Sequence, residues 1–167
     1  MIQKNIYVIK ILLLLLIVVN VSFAKSIKPI SKEAKTYGYE GHILLQKGQY
    51  SKARKKLEKA QSLGDIRAMH TLGLMYIRGD GGSKSYNKAM YFFKKSYKNG
   101  YINAAYDIGA MYKNAEGVKQ NFKLAKKYYL IAANNNYKIA QYELAKLYAH
   151  EGNKKKEKYW LKRAKKK

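Results

Sequence analysis

Cysteine is absent from this 167-residue chain, and proline occurs once, at Pro29. Without cysteine there are no disulfides, no thiolate metal site, no cysteine nucleophile and no lipid attached at an N-terminal cysteine. With no proline after residue 29, nothing beyond that point breaks a helix by ring geometry. Acidic residues are scarce as well: 10 Asp+Glu stand against 35 Lys+Arg, a formal net charge of +25. Such an excess attracts anionic partners over long range without specifying a fold. The bland alternative is a lysine-rich composition whose charged faces are merely solvated. His42, His70 and His150 are dispersed, and none has a second ligand at helical spacing, so no metal site is expected. Gly79-Asp80-Gly81-Gly82 lacks the following Gly-Lys-Ser/Thr of a phosphate loop and reads as a turn. No cofactor is predicted.

What is present is apolar and helix-forming. At 47% hydrophobic the chain can bury a core, and its Ala, Leu and Lys content favours helix throughout. Residues 1–24 have Lys4 and Lys10, an apolar run over residues 11–19, and then Ser22-Phe23-Ala24. That layout predicts a secretory signal peptide cut after Ala24, leaving residues 25–167 as an exported domain, periplasmic or secreted at a bacterial envelope. The run is short of the roughly 20 residues a spanning helix needs, and an uncleaved anchor is the alternative.

The chain repeats itself every 36 residues. Ala68-x-x-x-Leu72-Gly73-x-x-Tyr76 recurs as Ala104-x-x-x-Ile108-Gly109-x-x-Tyr112 and as Ala140-x-x-x-Leu144-Ala145-x-x-Tyr148. Ala89, Phe92 and Phe93 recur as Ala125, Tyr128 and Tyr129, and Gly64 recurs as Gly100. Each unit reads as two helices whose repeated residues share one face. The predicted repeat core is Leu72, Gly73, Tyr76, Ala89, Gly109, Tyr112, Ala125, Tyr129 and Tyr148. Glycine at positions 73 and 109 lets the second helix approach closely, so that its aromatic pair packs there; Ala145 should serve the same role. The flanking units are abbreviated. The N-terminal one lacks four residues, and the 31-residue step from Tyr128-Tyr129 to Tyr159-Trp160 implies a C-terminal loop shortened by five. Solenoids end in such atypical caps.

These residues together resemble the Sel-one-like repeat family, relatives of the tetratricopeptide repeats. Units 68–100 and 104–136 carry the resemblance, 32–64 looks more like a tetratricopeptide unit, and 140–164 like a truncated one. The resemblance implies an all-α, right-handed α/α solenoid of about four helix pairs, and a non-catalytic adaptor or scaffold role.

In such solenoids the first helices line the concave face. The predicted partner-binding residues there are Arg67, His70, Leu74, Asn103, Tyr106, Lys113, Tyr142 and Lys146, a basic surface suited to an acidic protein or peptide. The competing reading is that Tyr106 and Tyr142 simply cover the seam between units. A second reading places the lysine-rich residues 154–167, with Trp160 as anchor, on an anionic lipid or envelope polymer. A third makes Asp107 and Glu143 paired carboxylates of a cell-wall enzyme, against the alternative that lysines neutralise both. Nucleic-acid stacking is not expected, because the repeated aromatics are assigned to the core.

Overall fold

The structure, a computed structural model, describes residues 30–166; residues 1–24, where a signal peptide is expected, lie outside the described residues. Among these residues there are helices and no strand. They are α1 (Lys32–Gln46), α2 (Tyr50–Ser62), α3 (Ile66–Arg78), α4 (Tyr86–Lys98), α5 (Ala104–Asn114), α6 (Phe122–Asn134), α7 (Lys138–His150) and α8 (Lys154–Lys165). Packing runs between helices consecutive in sequence, the pattern of an α/α solenoid in which each unit meets its neighbours alone.

Local chemistry sets the helix ends. Side-chain caps come from Ser31, Asp65, Ser85, Asn121 and Asn153, each accepting from a backbone N–H in the first turn of its helix. The second helices stop at a left-handed residue in one register: Gly64 (φ +92°), Gly100 (φ +99°) and Asn136 (φ +62°). The third stop escaped the glycine pattern, because asparagine tolerates that conformation without being glycine. Ala115 (φ +60°) stands where the preceding unit has Gly79 (φ +80°).

The core is a ribbon that crosses every junction. Ala53, Leu57 and Ala60 of α2 meet Ala68, Leu72 and Met75 of α3. Further along, Tyr76, Ala89 and Phe93 meet Ile108 and Met111. Last come Ala125, Tyr129, Ala140, Leu144, Ala145, Tyr148 and Trp160. The predicted core residues lie here, with Tyr112 at the edge, half-buried and stacked on Tyr128 at 6.0 Å.

Gly73 and Gly109 each face the ring of the paired helix. A Cβ on Gly73 would lie 2.5 Å from Phe93 Cε1, and one on Gly109 would lie 2.7 Å from Tyr129 Cδ1. In the next unit Ala145, 1% exposed, shares its cluster with Trp160. The loops between paired helices span residues 79–85 and 115–121, against 47–49 and 151–153 in the flanking units. The C-terminal loop is therefore four residues shorter than its counterpart, a correction to the five read from the aromatic spacing. The difference arises because Tyr159-Trp160 sits one residue nearer its helix start than Tyr128-Tyr129 does.

Candidate functional site: the two helix layers

The first helices carry one repeated ring position, and its environment repeats with it. The His70 ring lies 4.9 Å from that of Tyr101 and 5.6 Å from that of Phe93. Thirty-six residues on, Tyr106 lies 5.3 Å from Tyr137 and 5.5 Å from Tyr129. His70 and Tyr106 are thus half-buried members of the seams between units. Tyr142, the third in the series, is 39% exposed and offers a free ring face. Leu74 and Asn103 are half-buried, Leu74 against the core, while Arg67 is exposed.

Both lysines predicted to bind a partner from this layer are paired within it. Lys113 Nζ donates to Glu143 Oε2 at 2.7 Å, and Lys146 Nζ donates to Oε1 of the same carboxylate at 2.8 Å. Burial alone pushes the Glu143 carboxyl up; the two ammonium hydrogen bonds outweigh it and hold the group below the usual carboxylate range. A carboxylate kept ionised in this way has no proton to give as a general acid. Asp107 Oδ2 lies within hydrogen-bond reach of His70 Nε2, at 2.8 Å, and is not paired with a lysine as expected. A histidine two positions after Ala68 faces the next first helix, so its reach falls on that carboxylate. Asp107 and Glu143 therefore act as ties between units.

The second helices carry the charge. The first helices hold Lys32, Lys35, Arg67, Arg78, Lys113, Lys138 and Lys146, with Glu33, Glu40, Asp107 and Glu143 among them. The second helices carry five cations on α2, four on α4, three on α6 and seven on α8, against only Glu58 and Glu157. A few of these cations are engaged: Lys56 with Glu40 at 2.6 Å, Lys126 with Glu151 at 2.5 Å, and Lys95 with Gln61 Oε1 at 2.9 Å. Others roof core tyrosines: Arg54 lies 4.4 Å from the Tyr76 ring centre, and Lys126 and Lys156 lie 5.2 and 5.1 Å from that of Tyr148. Lys94, Lys98, Lys127, Lys158 and Lys162 are exposed and have no carboxylate partner among the described residues. Tyr91 (58% exposed) and Tyr159 (53%) stand among them. Trp160, the anchor in the alternative lipid reading, points inward at 5% exposure because it fills the place that Tyr129 fills one unit earlier. Counting lysines helix by helix would have located this layer from the sequence.

The class of protein is now defined: a solenoid of helical hairpins held by a small-residue-to-aromatic contact between paired helices. Residues 66–101, 102–137 and 138–156 each match the Sel1 repeat, together covering more than half of the chain, and the chain belongs to the Sel1 repeat family. It is similar to the crystal structure of a Sel1 repeat protein from Oxalobacter formigenes, with 27% identity and a TM-score of 0.72 over 78% of this chain and 57% of that one. A protective antigen present in uropathogenic Escherichia coli strains is 24% identical with a TM-score of 0.63, covering 69% of this chain and 26% of that one. MamA, at 18% identity and a TM-score of 0.59 over 78% of this chain and 75% of that one, shares the fold alone. The chain thus spans little more than half the length of the first of these relatives and about a quarter of the second. No curated protein matches it. Sel1-repeat proteins generally mediate protein–protein interaction and are typically not enzymes.

Proposed function

We propose that this chain is an exported protein-binding scaffold whose second-helix layer, not its first, holds an acidic partner. The observation that carries this reading is the distribution of charge: exposed lysines without a carboxylate partner among the described residues repeat across α4, α6 and α8, while Lys113 and Lys146 are paired with Glu143. Amphipathic rings among the cations, Tyr91 and Tyr159, add contact area at low entropic cost. Export rests on the charged, apolar and small-residue layout of residues 1–24.

Fluorescence anisotropy with a labelled poly-glutamate peptide tests the surface. Reversing Lys94, Lys98 and Lys127 to Glu should lower affinity at least tenfold, and reversing Arg67 and Lys138 on the first helices should change it little. Affinity should also fall steeply between about 50 and about 500 mM NaCl, as screened surface attraction does. The reading fails if the first-helix pair proves the more damaging. A mature N-terminus at Lys25, read by mass spectrometry from the exported fraction, tests the other half.

A further inference from the structure

Each seven-residue loop of this solenoid is seated on the preceding unit, and the seat has a definite chemistry. A Cβ on Gly81 would collide with the carbonyl group of Tyr50 and lie 2.8 Å from Ser51 N; one on Gly117 would collide with Tyr86 Cβ. Both glycines are left-handed, at φ +71° and +69°, and each follows an acidic residue, Asp80 or Glu116. The seat is thus the first turn of a second helix, and what it receives is a tight acid-glycine turn with no side chain at the point of contact. On α2 a cation four residues beyond Tyr50 completes it, since Arg54 Nη2 donates to the Asp80 carbonyl oxygen at 2.6 Å.

The third seat is open. Phe122 opens α6 as Tyr50 and Tyr86 open α2 and α4, each 36 residues after the last, and Lys126 stands four residues on, in the place of Arg54. The loop that would cover it, residues 151–153, is too short: a Cβ on Gly152 meets nothing within 4 Å. Phe122 is 48% exposed, close to the 45% of Tyr50, so it is the missing backbone contact at Gly152 and not ring exposure that marks this seat as open; its ring lies 6.3 Å from that of His150. Lys126 turns instead to the Glu151 carboxylate, itself 43% exposed. Lys123, beside Phe122, is exposed and has no carboxylate partner among the described residues.

We propose that the uncovered first turn of α6, with Phe122, Lys123 and Lys126, is a docking site for an acidic glycine-bearing turn of a partner protein. The chain's own two loops are the precedent for the occupant's backbone turn, and Lys123, which has no carboxylate partner among the described residues, supplies the complement to its acid. A second copy of the chain does not fit, because both of its matching turns are already seated. This site is on the same helix layer but uses a different contact from the exposed lysines argued above, and does not depend on that reading.

The test is a chemical-shift titration of the isotope-labelled full-length chain with a backbone-cyclised peptide presenting Gly-Asp-Gly-Gly. Shifts are expected at the amides of Phe122, Lys123 and Lys126 and in the His150 ring, and Phe122→Ala should weaken binding at least tenfold. Replacing the second glycine that follows the Asp in the peptide's ring should matter less than replacing the first, and L-alanine at that first position should weaken binding at least tenfold. Grafting residues 115–121 in place of 151–153 fills the seat with the chain's own loop and should abolish the shifts, while poly-glutamate binding to the lysine layer survives. Absence of shifts at millimolar peptide, their persistence in the graft, or equal binding by the alanine peptide overturns the proposal.

Discussion

At Gly109 local propensity and packing pull in opposite directions, which makes the sign of one substitution diagnostic. Alanine in a helix interior is about 1 kcal/mol better than glycine. A Cβ at this position would lie 2.7 and 2.8 Å from two ring carbons of Tyr129 and 3.1 Å from the Ala125 carbonyl oxygen, where ordinary contact begins at 3.4 Å. The ring is fully buried and has Tyr106 5.5 Å away, so it has little room to retreat. Overpacking of this kind costs about 1–3 kcal/mol, so Gly109→Ala should destabilise by about 1 kcal/mol net. The mirror substitution Ala145→Gly loses both the propensity and a buried methyl group, about 2 kcal/mol together. Opposite changes at equivalent positions should therefore both lower the urea midpoint followed by circular dichroism. The decisive arm is a double-mutant cycle with Tyr129→Leu, in which shortening the ring should turn the Gly109→Ala penalty toward a gain. If Gly109→Ala raises the midpoint, or costs the same with and without the ring, the close contact is not what selects glycine.

Two further outcomes follow from the same packing. The Tyr129 hydroxyl is buried without a hydrogen-bond partner among the described residues, and burial pushes its ionisation far above the usual range. Phe93 fills the equivalent place one unit earlier, so Tyr129→Phe should be neutral or stabilise by up to about 1 kcal/mol; a loss of that size would reveal a partner for the hydroxyl. Glu143 is the group for a pH test, because its folded-state ionisation lies below its ordinary value of 4.5. Its contribution is whole above that value and is lost as pH falls through the lowered one. The drop in urea midpoint from pH 7 to about pH 3 should accordingly be smaller in Glu143→Gln than in the parent chain, and an unchanged drop would remove Glu143 from the account.

The hairpin period, the glycine-to-aromatic contact and the core were legible because translation along a solenoid puts equivalent residues in equivalent surroundings. Gly73 and Gly109 announce a close approach in the letters themselves. Asn136 does not, since its left-handed turn is one of several conformations asparagine adopts. The site was less legible for a related reason. His70, Tyr106 and Tyr142 share a register, but that register says only that they face the same way. Whether a ring is covered depends on the next unit: Tyr101 and Tyr137 close over His70 and Tyr106, while Tyr142 remains 39% exposed. Pairing of Glu143 with lysine was legible, since Lys146 stands three residues away on the same helix, but only the fold shows that Lys113 of the preceding unit joins it.

Burial explains why the cations stand where they do. In the last three pairs the first helix is the more deeply packed, while α1 and α2 bury three residues each: α3 buries Ala68, Met69, Thr71, Leu72, Gly73, Met75 and Tyr76, whereas α4 buries Ala89, Met90, Phe93 and Ser96. A lysine can end in water only where its stem has a free surface to follow, and the second helices supply that surface. An excess of positive charge in such a sequence is therefore displaced outward onto α2, α4, α6 and α8. The open seat at Phe122 lies on one of those same helices. An acidic partner drawn to the lysines arrives on the layer that carries the uncovered turn, so long-range attraction and short-range fit act on the same side of the molecule.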